Sequence, residues 1–337
     1  MFLSSIALSN ENQQAPLSQF FNTTLSQPVS VAIDADELML TPITDKVNDT
    51  VELVVFNHLT LKQLCQLSHL INCPSMILMA INERLGKTSL RFALPTVTDN
   101  IAGLNKAVNE LALQWQHEIA LLQNAPSLSE PGLLVMDMDS TAIEIECIDE
   151  IATLAGVGEQ VSEVTELAMQ GKLDFAESLT ARVNALTGAC ESILAKVGDS
   201  LPLMPGLEDI VKALHQKQWK VAVASGGFTY FTQILADKLN LDATQANQLD
   251  IVDGKLTGKV IGDITDANVK AQTLVKLQQQ YQFDKRQTVA MGDGANDLTM
   301  MSVANLGVAY KAKPIVQQKA TSAINFSGLD VLLHWLK

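Results

Sequence analysis

The C-terminal two thirds of the chain alternate between short apolar runs and stretches in which apolar residues recur with helical spacing. The runs are continuously apolar, which predicts buried parallel strands. They lie at 133–137, 221–225, 288–293 and 306–310. Predicted helices and one hairpin lie among them, at 228–240, 266–282, 328–337 and around Asp253-Gly254. This order predicts an α/β fold with a doubly wound parallel sheet.

The first 125 residues show a different order of elements. Strand patterns lie at 29–33, 51–56, 75–81 and 89–94, and helical patterns lie at 59–71 and 99–123. From residue 51 the order is β-α-β-β-α, which predicts a small α+β unit. Residues 124–132 contain two prolines, two serines and a glycine, which predicts a linker. We therefore expect an N-terminal α+β domain over 1–125 and a second domain over 130–337.

Composition and charge argue against several classes of function. The 337 residues carry a formal net charge of −14, which disfavours binding to the phosphates of nucleic acids. No run of 18 apolar residues occurs, so no membrane span is predicted, and the N-terminus lacks the basic region of a signal peptide. The four cysteines contain no CxxC pair, which favours reduced thiols. We expect a cytoplasmic protein.

Polar residues stand at the ends of three predicted strands, where a doubly wound sheet forms its active site. Asp137 and Asp139 are two residues apart, so both carboxylates can face one small volume. Such close charges need a cation between them or a proton on one of them. One carboxylate can then attack phosphorus while the other handles a proton. A calcium-binding EF-hand is excluded, because Ala142 and Ile148 replace its required Gly and Glu. A polar loop cap is the alternative.

The other two strand ends carry groups suited to a metal ion and to phosphate. Asp293 and Asp297, in the run GDGAND, offer hard oxygen ligands that suit Mg²⁺, with an N-capped helix as the alternative. Ser225-Gly226-Gly227 combines a hydroxyl with unhindered N–H groups before a helix, which suits phosphate. Lys270 alone is typical of a surface lysine. Carboxylates at 137, 293 and 297 nevertheless require one lysine and one divalent cation for neutrality.

Six stretches together resemble a known family. They are DMDSTAIEIE (137–146), GKLDFAESLTARV (171–183), VAVASGGF (221–228), DGKLTGKV (253–260), Lys270 and GDGANDLTMM (292–301). In this order they resemble the phosphatases of the haloacid dehalogenase (HAD) superfamily, and most closely their phosphoserine branch. The resemblance implies a HAD-like Rossmannoid core with an inserted helical cap at about 146–204, which closes over the site.

The resemblance also implies a reaction, the magnesium-dependent hydrolysis of O-phospho-L-serine through an aspartyl-phosphate, as the final step of serine biosynthesis. Hydrolysis of another small phosphomonoester, or transfer of its phosphoryl group to an alcohol, is the alternative. The implied catalytic residues are Asp137 as nucleophile, Asp139 as general acid and base, and Lys270. The implied Mg²⁺ site consists of Asp137, Asp293, Asp297 and the backbone carbonyl of Asp139. The implied substrate-binding residues are Glu146 for the ammonium group, Arg182 for the carboxylate, Ser225, Gly226 and Asn296 for the phosphoryl group, and Met169 and Phe175 as a cover.

The order of elements before the linker resembles an ACT-like regulatory domain, although it carries no diagnostic motif. Amino-acid binding, assembly into a homodimer, or neither, are the open alternatives for this unit. An amino-acid sensor with an inactive phosphatase half is a further alternative. The intact Asp137, Asp139, Lys270 and Asp293 speak against it. The expected partner is therefore a small-molecule substrate, not nucleic acid or a membrane.

Overall fold

The computed structural model describes residues 5–21, 25–34, 37–44, 47, 51–97, 99–169 and 172–337, and its strands form two sheets of seven. The first sheet contains β1 (Ser5–Ala7), β2 (Val29–Ile33), β3 (Glu37–Pro42), β4 (Val51–Phe56), β5 (Ser75–Arg84), β6 (Lys87–Leu94) and β7 (Ile119–Gln123). The second contains β8 (Leu133–Met136), β9 (Lys220–Phe228), β10 (Ala243–Val252), β11 (Lys255–Ile261), β12 (Thr288–Gly292), β13 (Leu306–Tyr310) and β14 (Ser322–Ile324).

Helices connect most of these strands. They are α1 (Asn10–Gln14), α2 (Leu61–Leu70), α3 (Ile101–Trp115), α4 (Cys147–Ala155), α5 (Gly158–Met169), α6 (Phe175–Ala185), α7 (Ser192–Gly198), α8 (Leu207–Gln216), α9 (Thr229–Leu239), α10 (Ala267–Gln280), α11 (Leu298–Val303), α12 (Pro314–Lys319) and α13 (Leu332–Trp335). Short 3₁₀ turns occupy Leu17–Gln19, Lys285–Gln287, Ala295–Asp297 and Leu329–Val331. Across the described ranges, no helix combines the length and apolar character needed to cross a bilayer.

The second sheet follows the order β11-β10-β9-β8-β12-β13-β14, and all neighbouring strands are parallel except the β10–β11 hairpin. On β8, Leu134 and Met136 enter one hydrophobic core while Leu133 and Val135 enter another, because side chains alternate along a strand. Both faces are therefore covered, which explains the continuously apolar runs. The predicted doubly wound parallel sheet is confirmed, and β9, β8 and β12, which carry the motifs, are neighbours at its centre.

Four helices, α4 to α7, follow β8 before the chain returns to the sheet through α8 and β9, which agrees with the predicted helical insertion. The segment after α6 pairs with the edge strand β11. Gly188 N–H donates to the Leu256 carbonyl at 2.8 Å, and Leu256 N–H donates to the Ala189 carbonyl at 2.9 Å. Gly258 has a φ of +80° and leaves no room for a Cβ beside Thr187 Oγ1. The helical insertion is thus tied to the β10–β11 hairpin.

The first sheet is antiparallel throughout and follows the order β1-β3-β2-β5-β6-β4-β7. Within it, β4-α2-β5-β6-α3-β7 form a ferredoxin-like βαββαβ unit. Residues of β4 alternate between two cores, with Leu53 and Val55 in one and Val54 and Phe56 in the other. The predicted N-terminal α+β unit is confirmed, and its second face packs against the same core as the parallel sheet.

The helix predicted over 99–123 is wrong from residue 116 onwards. It begins at Ile101, and α3 ends at Trp115 because Gln116 adopts the left-handed conformation, with φ 56°. The chain then forms β7, which pairs antiparallel with β4 and places Leu121 opposite Leu53. A short apolar run such as IALL fits either element until a partner strand is known. β7 is the last strand of the βαββαβ unit.

The closing helix predicted over 328–337 is also shorter than expected, since it consists of the 3₁₀ turn Leu329–Val331 and the single turn α13. The backbone carbonyls of this segment accept hydrogen bonds from arginines of the first sheet. In a longer helix they would accept from later N–H groups of the same helix. Arg91 donates to the carbonyls of residues 334–336 at 2.9, 3.1 and 2.6 Å and is ion-paired with Glu52. Arg84 donates to the carbonyls of Leu333 and Leu336. The C-terminal segment therefore joins the two sheets.

His334 lies in this contact and is 1% exposed. Its Nδ1 lies 2.8 Å from Ser89 Oγ, and its Nε2 lies 3.3 Å from the Arg84 carbonyl oxygen. Burial lowers the pKa of His334 to about 4, although the hydrogen bond to that carbonyl opposes the change. The folded protein therefore keeps this histidine neutral where an unfolded chain would protonate it.

We expect the free energy of unfolding to fall as the pH drops from about 6.5 to about 4, because in this range only the unfolded state binds the extra proton. The loss from His334 approaches about 3 kcal/mol. Urea unfolding across this range measures it. The control is His334→Asn, which keeps an amide near the position of Nδ1 but does not titrate. An equal pH dependence in both proteins would contradict the prediction.

Candidate active site

Asp137 lies directly after the central strand β8, and its N–H continues the sheet by donating to the Met291 carbonyl at 2.9 Å. The chain then turns sharply, because the Met138 carbonyl accepts from the N–H groups of residues 141–143. Ser140 in this turn has a φ of 56°, a left-handed conformation that is strained for a serine. The turn directs the Asp137 and Asp139 side chains beyond the sheet.

Lys270 joins two of the predicted carboxylates. It is fully buried, and its Nζ lies 2.8 Å from Asp137 Oδ2 and 2.7 Å from Asp297 Oδ1. Burial alone lowers the pKa of Lys270, but the charges of Asp137 and Asp297 raise it above its ordinary value. Asp266 caps α10 by accepting from the Val269 N–H at 2.8 Å, which fixes the turn that carries the lysine. The ammonium group is therefore a permanent charge of the site.

Asp137, Asp293 and Asp297 each offer a carboxylate oxygen within 4.8 Å of the others. Three negative charges beside one buried ammonium leave a net charge of −2, which a divalent cation would balance. Carboxylate oxygens are ligands that Mg²⁺ prefers, and Thr141 Oγ1 orients Asp293 by donating to its Oδ1 at 3.0 Å. The donor set thus fits a hard divalent cation. Both oxygens of Asp297 already accept hydrogen bonds, from Lys270 and from the Gly294 N–H.

Asp139 lies beside this cluster. Its Oδ1 accepts from the Cys147 N–H at 2.9 Å, at the start of α4. Burial, together with the negative charge of Glu146, raises the pKa of Asp139 to about 7. Its Oδ2 is so close to Gly227 that a Cβ there would lie 2.6 Å away. Glycine at this position therefore lets the end of β9 approach a carboxyl group that can carry a proton near neutral pH.

The last residues of β9, 225–228, are held from behind by Asn247 of β10. Asn247 Nδ2 donates to the Gly226 carbonyl at 2.7 Å, and its Oδ1 accepts from the Thr265 N–H at 2.8 Å. Ser225 Oγ is fully buried and accepts from the Gly227 N–H at 2.8 Å. A Cβ on Gly226 would lie 2.6 Å from Phe175 Cζ, so the ring of Phe175 covers this glycine. The two glycines are therefore needed for close approach by other groups.

A cavity of about 400 Å³ opens between this cluster and helices α4 to α6. Its charged lining residues are Asp137, Asp139, Glu146, Arg182, Asp293 and Lys313. Glu146 accepts from Ser140 Oγ at 2.7 Å, and burial raises the pKa of its carboxyl group. Arg182 Nε donates to the Ser178 carbonyl at 3.4 Å, one helical turn earlier. The cavity therefore combines one anionic and one cationic side chain from the helices with the cluster at the strand ends.

Residues 132–305, more than half of the chain, match the family of haloacid dehalogenase-like hydrolases. The sequence is 58% identical over 212 residues to the phosphoserine phosphatase of Vibrio cholerae. The aligned region covers 63% of this chain and 65% of that protein. The chain belongs to the haloacid dehalogenase-like hydrolase family. The family predicted from the sequence is confirmed. The match spans slightly less than two thirds of the Vibrio cholerae protein.

Two solved structures resemble this hydrolase. The unliganded probable phosphoserine phosphatase from Vibrio cholerae has a TM-score of 0.72 and 46% identity, and covers 85% of this chain and 86% of that one. A substrate-bound phosphoserine phosphatase complex has a TM-score of 0.59 and 39% identity, and covers 62% of this chain and 99% of that one. Phosphatases of this family generally use a divalent metal, and the carboxylate cluster of Asp137, Asp293 and Asp297 suits one.

The predicted site residues of the hydrolase divide into three groups. Asp137, Asp139, Asp293, Glu146, Phe175, Arg182, Gly226 and Asn296 line the cavity. Lys270, Asp297 and Ser225 are fully buried and lie behind its wall. Met169 ends α5, but its side chain lies outside the described residues.

Sequence reasoning missed three residues of this site. Thr141 orients Asp293, Asn247 holds the end of β9, and Lys313 lines the cavity after β13. Lys313 could have been found, because it follows a fourth parallel strand whose carboxyl end lies at the same edge of the sheet. Asn247 gave a weaker signal, a polar residue inside a strand pattern.

We expect Gly226→Ala to reduce kcat/KM for phosphate release roughly 10- to 100-fold, because the new Cβ displaces the ring of Phe175 and misplaces groups in the closed cavity. The ring tip is the flexible end of a side chain, so the thermal stability should change little. The double variant Gly226→Ala/Phe175→Leu is the matched control and should recover part of the activity. An unchanged kcat/KM in Gly226→Ala would contradict a tight contact between Gly226 and the ring of Phe175 during the reaction.

Proposed function

We propose that the protein hydrolyses O-phospho-L-serine to L-serine and phosphate in a magnesium-dependent reaction, with Asp137 as the nucleophile. The observation that carries the proposal is the fully buried Lys270, whose Nζ lies 2.8 Å from Asp137 Oδ2 at the wall of a cavity that also contains Glu146 and Arg182. An ammonium group beside the attacking carboxylate offsets the repulsion between two anions. Phosphoserine phosphatases among the relatives, one with its substrate bound, support the same substrate.

Asp137 and Asp293 would hold Mg²⁺, together with the backbone carbonyl of Asp139 and with support from Asp297. A bound magnesium ion neutralises charge on the phosphoryl oxygens and keeps the groups in line for transfer. Asp297 accepts from Lys270 and so positions the lysine between the two anions. Lys270, Ser225, the Gly226 N–H and Asn296 would stabilise the phosphoryl oxygens.

The reaction proceeds in two steps. A carboxylate oxygen of Asp137 forms a bond to phosphorus while the bond from phosphorus to the serine oxygen breaks, and Asp139 gives its proton to the departing oxygen. L-Serine leaves with that proton. Asp139 then takes a proton from a water molecule, whose oxygen attacks the phosphorus of the aspartyl-phosphate. The bond between phosphorus and Asp137 breaks, phosphate leaves, and the carboxylate is restored.

Recognition of the amino-acid part requires one group of each charge. Glu146 lines the cavity at the start of α4 and pairs with the substrate ammonium group. Arg182 lines it from α6 and holds the substrate carboxylate through its planar fork of N–H groups. Phe175, and Met169 as predicted from the family, cover the bound substrate. The helical insertion thereby excludes water from the transfer step.

The two units of the chain have separate roles. Residues 1–125 form the N-terminal unit, with a regulatory role, and residues 130–337 form the hydrolase with its cap at about 146–204. Arg91 of the first unit binds carbonyls of the C-terminal segment, so the two units pack against each other. The protein acts in the cytoplasm, in the last step of serine biosynthesis. Assembly into a homodimer stays a prediction.

We expect phosphate release from O-phospho-L-serine to require Mg²⁺ and to disappear with a chelator. Asp137→Asn should lower kcat by about a thousandfold or more, because an amide cannot replace the attacking carboxylate. Asp253→Asn, an exposed change in the β10–β11 turn, is the matched control and should leave activity intact. Metal-independent release, or full activity in Asp137→Asn, would exclude the proposed mechanism.

A substrate panel separates phosphoserine from other small phosphomonoesters. Arg182→Ala should lower kcat/KM for O-phospho-L-serine by about 100-fold, because a charge-assisted pair is lost. The loss for O-phosphoethanolamine, which has no carboxylate, should be far smaller. The exposed Arg286→Ala is the control. If Arg182→Ala lowers kcat/KM equally for both substrates, Arg182 does not recognise the carboxylate. The alternative that the enzyme acts on another small phosphomonoester would then be favoured.

A further inference from the structure

The hydroxyl group of Ser178 is buried at the catalytic cavity without a hydrogen-bond partner. In the described part of the chain, seven buried side-chain nitrogen or oxygen atoms lack a partner, and Ser178 Oγ is the one among them whose residue lines this cavity. Ser178 is 1% exposed. Buried hydroxyl groups are nearly always paired, since leaving one unpaired is unfavourable. Such an atom in a binding cavity indicates that a ligand supplies its partner.

Ser178 and Arg182 lie one turn apart on α6, so their side chains share a face of the helix. The side chain of Arg182 folds back over that turn, because its Nε donates to the Ser178 carbonyl oxygen at 3.4 Å. Both residues line the cavity. The guanidinium group and the unpaired hydroxyl therefore lie next to each other at the same part of its wall.

We propose that Ser178 is a specificity-determining residue, whose hydroxyl donates a hydrogen bond to the substrate carboxylate that Arg182 binds. This inference rests on the proposed function. A carboxylate has about four acceptor positions, and a guanidinium fork uses two of them, which leaves room for a hydroxyl donor. Rotation about the Cα–Cβ bond of Ser178 moves Oγ among staggered positions, so the hydroxyl that is shielded in the free protein turns towards the entering carboxylate.

A purely structural hydroxyl would behave differently in two respects. If Ser178 stabilised α6, its loss would reduce thermal stability and weaken every ligand alike. If it binds the carboxylate, its loss removes an unpaired buried group from the free protein and weakens only ligands that carry a carboxylate. Stability and ligand selectivity together therefore distinguish the two roles.

The test compares Ser178→Ala with the wild type and with Thr180→Ala, which removes an exposed hydroxyl from the same helix. Three quantities are measured: KM for O-phospho-L-serine, the inhibition constant of O-phosphoethanolamine, and Tm without ligand. Phosphoethanolamine keeps the phosphate and the ammonium group but lacks the carboxylate. Its inhibition constant reports binding whether or not it is turned over.

We expect Ser178→Ala to raise KM for phosphoserine about tenfold relative to the inhibition constant of phosphoethanolamine, as for a lost hydrogen bond to a charged group. Tm should be equal to or above that of the wild type, and Thr180→Ala should match the wild type. Ser178→Cys restores a weak donor, so its KM for phosphoserine should lie between those of the wild type and Ser178→Ala.

Three results for Ser178→Ala would overturn this inference: equally weaker binding of both ligands, unchanged binding of both, or a lower Tm. The proposed function would still hold if the wild type releases phosphate from phosphoserine. Failure of the wild type to release phosphate from phosphoserine would overturn both.

Discussion

The active site depends on one buried ammonium group. Lys270 Nζ lies 2.8 Å from Asp137 and 2.7 Å from Asp297, and nothing of the side chain is exposed to solvent. A buried charge that loses its partner costs roughly 3–5 kcal/mol, so the three groups hold one another in place. They come from the end of β8, from α10 and from the turn after β12, which are far apart in sequence. The lysine thus joins the strand ends that carry the chemistry.

A second polar connection reaches helix α10 from the end of β9. Asn247 bridges the Gly226 carbonyl and the Thr265 N–H, and Thr265 directly precedes Asp266, the residue that caps α10. Asn247 is nearly fully buried, so both hydrogen bonds are shielded from water. The end of β9 and the lysine are therefore positioned through one continuous set of contacts, and neither can shift without disturbing the other.

Much of this arrangement could be predicted from the sequence, because the strands of a doubly wound sheet are continuously apolar and their ends are marked by polar residues. Asp137, Asp139, Ser225 and Asp293 follow from that rule alone. Lys270 does not, since a lysine in a helical pattern is usually a surface residue, and only the family resemblance indicated it.

The errors have a common physical origin, since each depends on a partner that is distant in sequence. The run 119–123 becomes a strand because β4 supplies its hydrogen bonds. The C-terminal segment ends its helix early where Arg84 and Arg91 bind its carbonyls. Asn247 acquires its role from a glycine carbonyl on the neighbouring strand. Local patterns contain no information about such partners.

The backbone pairing between residues 188–191 and β11 has a consequence for how far the catalytic cavity can open. The N–H of Glu191 adds a third bond, to the Gly254 carbonyl at 2.9 Å, so the insertion covers the beginning of the edge strand β11. A bare outer strand is a template on which another polypeptide can polymerise. A large movement of helices α4 to α7 alone would break the hydrogen bonds to β11. A movement that includes the β10–β11 hairpin would keep them. Opening of the cavity and cover of this edge strand are thus coupled through the same three hydrogen bonds.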